Sequence, residues 1–100
     1  MKHAEKLLES WRNYVPGNGV PESDVVMVLE HLGMAYKRNG LGHIQASHRD
    51  LNQSEPFPFG SFTINCHAYG KQGMAHPAAI RDLLRAADII AALREQGDEN

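Results

Sequence analysis

Three runs in the middle of the chain, "MAYKR" (34–38), "GHIQASH" (42–48) and "SFTINCHAY" (61–69), set apolar and polar side chains on alternate positions. Successive strand side chains point to opposite faces, so runs of this kind define a sheet with one apolar and one polar face. Met34 and Tyr36 in the first run take the apolar side, with Lys37 opposite. Ile44 and Ala46 do so in the second, together with His48, and Phe62, Ile64 and Cys66 in the third. The apolar face needs cover, and the polar one does not. An Asn/Gly turn, "NGLG", joins the first two runs as a hairpin, whereas "RDLNQSEPFPFG" is a long connection, polar and then proline-rich.

The cover comes from helices. "HAEKLLESWRNY" carries Ala4, Leu7, Leu8 and Trp11 at the spacing of one helical stripe. It ends at "VPGNGVP", a stretch read as turn or linker, which makes this first helix an accessory. "PESDVVMVLEHLG" predicts a second helix striped by Val25, Val28, Leu29 and Leu32, opened by Pro21 in its first turn and capped by Gly33. "HPAAIRDLLRAADIIAALREQ" predicts the last and longest, with Pro77 at its first position and Ile80, Leu83, Leu84 and Ala87 as its stripe; Asp88 marks a break that would split off "IIAALREQ". The expected fold is therefore α+β, a three-stranded antiparallel sheet with helices on one face. At 100 residues the chain is one domain, with an N-terminal helix and linker over 1–20 and a core over 21–90.

The polar face collects Lys37, His43, Gln45, Ser47, Thr63, Asn65 and His67: one ammonium and two imidazoles among neutral hydrogen-bonding groups, with no carboxylate. Ten basic against twelve acidic residues leave a net charge of -2, so no overall field draws the chain to nucleic acid, and any phosphate binding must be local. This face is local in that sense. Lysine supplies a point charge for phosphate, and imidazole exchanges protons near neutral pH. Gly40 and Gly42 clear side chains from beside His43, giving a ligand access to the backbone. Polar alternation alone is also what any one-sided antiparallel sheet shows.

Other functions are less well served. Cys66 is the lone cysteine, which excludes an intramolecular disulfide framework and suits a reducing cytoplasm. No run has the length of a membrane span and no apolar stretch follows the charged start, so a cytoplasmic protein without a membrane partner is expected. Six histidines suggest zinc, but His43 and His48 point to opposite faces and no Cys-x-x-Cys or His-x-x-x-His pair exists. No metal or cofactor is expected; His31 and His76 read as surface or capping residues, and His3 lies near the terminus.

The pieces "VVMVLEHLGMAYKR", "GLGHIQAS", "FTINCHAY" and "AAIRDLLRAADI" in this order resemble the HicA toxins over residues 21 to 90. These are small messenger-RNA interferases with a fold like the double-stranded-RNA-binding domain. The resemblance implies an endoribonuclease of a toxin-antitoxin system, acting on RNA without metal and held inactive by a HicB-like antitoxin. It places the catalytic histidine at His43. Its usual pattern is Gly-Ser/Thr-His, and here Gly42 stands where the hydroxyl residue does. His67 falls near the family's histidine after the third strand, and Lys37 where basic residues are common. Lys37, Gly40, Gly42, Gln45, Ser47, Asn65, His67 and Lys71 form the candidate RNA-contacting set. The extra first helix, the long 49–60 connection and the negative charge depart from the pattern. Two other readings therefore stand beside it: a non-catalytic RNA-binding module, and a protein-interaction domain using Trp11, Phe57 and Phe59 as exposed anchors, although large aromatics more often finish a small core.

Overall fold

The computed structural model describes residues 2–39, 42–52, 54–67 and 73–98. Its elements run α1 (Lys2–Asn13), β1 (Val20–Pro21), α2 (Glu22–His31), β2 (Ala35–Arg38), β3 (His43–Ser47), β4 (Ser61–Asn65), β5 (Met74–Ala75) and α3 (Pro77–Asp98), with one 3-10 turn at Arg49–Leu51. The three expected strands form an antiparallel sheet in the order β2-β3-β4. This is an α+β fold, with helices packed against the apolar side of that sheet.

Register follows the alternation. Tyr36 pairs with Ala46 and Ala46 with Phe62, while Ile44 pairs with Arg38 and with Ile64. Ile44, Ala46 and Ile64 are buried beneath the helices with Leu29, Ile80, Leu83 and Ile90. The α2 stripe is buried as spaced. Its end is a Schellman closure: Gly33 N–H donates to Glu30 O at 3.1 Å and Met34 N–H to Leu29 O at 3.0 Å. The Arg94 guanidinium on α3 donates to the neighbouring Leu32 carbonyl at 3.0 Å, tying the two helices together.

Four local expectations are corrected. First, α1 is not an accessory: Ala4, Leu8 and Trp11 join the single core, because the apolar faces of α2 and α3 extend beyond the sheet and α1 covers them. Second, α3 runs unbroken past Asp88. That side chain points outward to the Arg12 guanidinium at 2.7 Å, so it does not compete for helix backbone, and Ile80, Leu83, Ala87 and Ile90 keep one buried stripe through it. Third, Pro21 is the residue before α2 rather than its first, and with Val20 it forms β1. That strand pairs with β5 through Val20↔Ala75 and Pro21↔Met74; the pairing tolerates a proline because it is a short edge. Fourth, the third strand stops at Asn65, whose Oδ1 accepts the His67 N–H at 2.8 Å and bends the chain. The 49–60 connection contributes to the core: Leu51 is buried and so, as expected of a large aromatic, is Phe57, its ring 5.0 Å from that of Phe62.

Candidate functional site

The open side of the sheet can be read off its register. Lys37, Gln45 and Thr63 stand in one row across the three strands, with His43 and Asn65 in the row on one side and Ala35, Ser47 and Ser61 in the row on the other. Lys37, Gln45, Thr63, Asn65 and His67 are exposed, and His43 and Ser47 half-buried. Lys37, His43, Gln45, Ser47, Thr63 and Asn65 thus share one face, while Gly42 and His67 lie next to each other just outside the paired register. Gly40 and Lys71 lie outside the described residues.

The turn before β3 sets the His43 end of this face. Asn39 N–H donates to His43 O at 3.0 Å, Gly42 N–H to Asn39 O at 3.4 Å, and His43 N–H to the Asn39 side-chain oxygen at 3.3 Å. Gly42 has φ +77°, a left-handed conformation that residues with a Cβ adopt at a cost. Cys66 N–H donates to Gly42 O at 2.9 Å, which brings His67 alongside: a Cβ on Gly42 would lie 3.7 Å from His67 Nδ1. His67 thus lies just past the end of β4, next to the glycine that precedes His43.

The histidines divide into two kinds. His48 Nδ1 accepts the Asp50 N–H at 3.0 Å, capping the 3-10 turn, and His76 Nδ1 accepts the Ala78 N–H at 3.0 Å at the start of α3. The His43 and His67 imidazoles have no hydrogen bond or ion pair among the described residues, and neither has the Lys37 ammonium. Among the described residues no three His, Cys, Asp or Glu side chains cluster so as to hold a metal ion.

Carboxylates near the sheet are turned away from the open face. Glu22 accepts from the Arg38 guanidinium at 2.7 Å, and Glu30 from the Tyr36 hydroxyl at 2.9 Å, both on the helix side. The bond to Glu30 raises the pKa of Tyr36, since it favours the protonated phenol. Beneath the face, burial pushes the Cys66 thiol up to about 11, with the Glu22 charge acting in the same direction.

Of the three proposed aromatic anchors, Trp11 and Phe57 are each only 4% exposed and belong to the core. Phe59 is 86% exposed and was not assigned to the polar face. It lies in the turn that the Gly60 N–H closes onto Phe57 O at 2.9 Å, so the alternation of β4 does not reach it.

No protein-family model, curated protein or solved structure matches the chain.

Proposed function

We propose that the chain is a HicA-like, RNA-directed protein with a core like the double-stranded-RNA-binding domain, and that it cleaves RNA with His43 as its base. The observation that carries this reading is the pair of imidazoles, His43 and His67, standing unengaged among the described residues at one end of a sheet face that bears no carboxylate. In the reaction His43 takes the proton of a ribose 2′-hydroxyl, whose oxygen attacks the adjacent phosphorus. The bond to the 5′ oxygen breaks, His67 protonates that leaving oxygen, and a 2′,3′-cyclic phosphate remains. Lys37, diagonal to His43 across β2 and β3, holds charge on the phosphate oxygens, while Gln45, Ser47 and Asn65 hydrogen-bond the sugar-phosphate chain. A HicB-like antitoxin protein is the partner implied.

The test is incubation of labelled single-stranded RNA with the purified parent, His43→Ala and His67→Ala, with chelator present throughout. The parent is expected to leave cyclic-phosphate ends, and His43→Ala to lose at least about 100-fold in rate, the scale of one general base. Cleavage by His43→Ala at the parental rate would refute the assignment. Binding without cleavage by the parent would instead make the face a non-catalytic RNA-binding module.

A further inference from the structure

At the far end of the open face from His43, Phe59 stands between two clefts. One, of about 390 Å³, is lined by Lys37, Gln45, Ser47 and Ser61; the other, of about 470 Å³, by Ser47, His48, Arg49 and Asn52. The chain has twelve Asp and Glu residues, yet neither cleft is lined by any of them. Each has a cation instead: Lys37 on one side, and on the other Arg49, whose side chain is 95% exposed and whose Nε lies 3.9 Å from the Asp50 carboxylate.

The loop is built to hold this ring outward. Phe57 is buried, and Phe57 N–H donates to Ser54 O at 3.2 Å. On the other side Gly60 is pinned between strands: its carbonyl accepts the His48 N–H at 3.0 Å, and a Cβ on it would lie 3.2 Å from Asn52 Cα and 3.3 Å from His48 O. The residue between two such anchors has its backbone held from both sides, which leaves the Phe59 ring 86% exposed between the two clefts.

We infer that Phe59 is a stacking platform for an unpaired nucleobase and that the cation-bearing clefts beside it take the flanking phosphates, so the ligand of this face is single-stranded RNA. The inference deepens the RNA-directed reading above and rests on it. Aromatic faces accept any base, provided it is unstacked from its neighbours, and a base paired inside a duplex cannot offer its π-face to a side chain. His43 and Ser47, beside the ring, are four positions apart on β3, roughly 13 Å at strand spacing. That exceeds one stacked nucleotide step of about 3.4 Å, so the stacked base lies beyond the nucleotides flanking the scissile bond. Phe59 therefore acts as a remote subsite.

The experiment is fluorescence anisotropy of a labelled 12-nucleotide single-stranded RNA, and of the same strand annealed to its complement, against the parent, Phe59→Ala, Phe59→Tyr and Lys37→Ala. The parent is expected to bind the single strand more tightly than the duplex. Phe59→Ala should weaken single-strand binding about 5- to 150-fold, the loss that follows removal of one stacked base, and leave the salt dependence unchanged. Phe59→Tyr should restore binding, and Lys37→Ala should flatten the salt dependence. Thermal melts check that each variant is folded. Equal single-strand affinity of parent and Phe59→Ala, or tighter binding of duplex, overturns the stacking platform and leaves the RNA reading standing. Failure of the folded parent to bind either RNA overturns both.

Discussion

Replacing Gly42 by alanine separates two effects that a count of contacts would merge. The residue has φ +77°, and a Cβ in the left-handed region costs about 1–2 kcal/mol. Space is not the problem: the nearest atoms would be His67 Nδ1 at 3.7 Å and His67 Cβ at 3.8 Å, ordinary contacts. Alanine also restricts the unfolded chain, which offsets about 0.4–1 kcal/mol. The balance is a loss of about 1 kcal/mol, or a fall in Tm of about 4–8 °C for a domain of this size. Gly17→Ala is the matched control, because that glycine has no atom within 4 Å of the added Cβ and no left-handed backbone, so the same change should raise stability by about 0.4–1 kcal/mol. Circular-dichroism melts of the two variants should move in opposite directions. A Gly42→Ala protein that melts at or above the parental temperature would refute the reasoning. The same backbone cost falls on Gly42→Ser, so the resembled Gly-Ser/Thr-His pattern cannot be restored here without destabilising the turn that presents His43.

Two further outcomes test the core and the thiol. Trp11→Ala should cost about 3–5 kcal/mol in urea denaturation, because α1 closes the core, and a loss under about 1 kcal/mol would return α1 to an accessory role. Burial raises the Cys66 pKa to about 11 from an ordinary value near 9, so iodoacetamide at pH 8 should modify the native protein at least tenfold more slowly than the urea-unfolded chain. The same shift stabilises the fold fully below pH 9 and ceases to do so as pH rises through 11, because the unfolded thiol ionises first. Denaturant midpoints that do not fall between pH 9 and 11 would contradict it.

What could be read from the sequence was whatever repeats. The stripes of α1, α2 and α3 and the alternation of β2, β3 and β4 recur over several residues, and each was placed on the face that the structure buries. What was missed has no period. β1 and β5 are two residues each, too short to alternate, and exist because Val20 and Ala75 meet in the fold. Leu51 is a single apolar residue in a polar and proline-rich stretch, and only the position of that stretch beside α3 shows that it is buried. Asp88 carried a local signal against helix, which a buried stripe continuing from Ile80 to Ile90 outweighs.

The candidate site was legible to a greater extent than the loops because parity alone decides which side chains share a sheet face. That rule brought His43, Lys37, Gln45, Ser47 and Asn65 together without knowledge of register, and register then set their order: His43 at one end, the ammonium in the middle, hydroxyls at the other. Parity could not say which histidines are free. His48 and His76 are fixed by hydrogen bonds to backbone N–H groups two residues on, geometry that depends on where a turn or helix begins. Nor could it distinguish Phe57 from Phe59, since grouping both as anchors ignored that residues two apart in an extended segment share a face only when the chain stays extended between them. The turns at Ser54–Phe57 and Phe57–Gly60 break that condition, sending one ring into the core and leaving the other beside the polar rows. The exposed ring therefore stands at the Ser47 end of the polar rows, the end opposite His43.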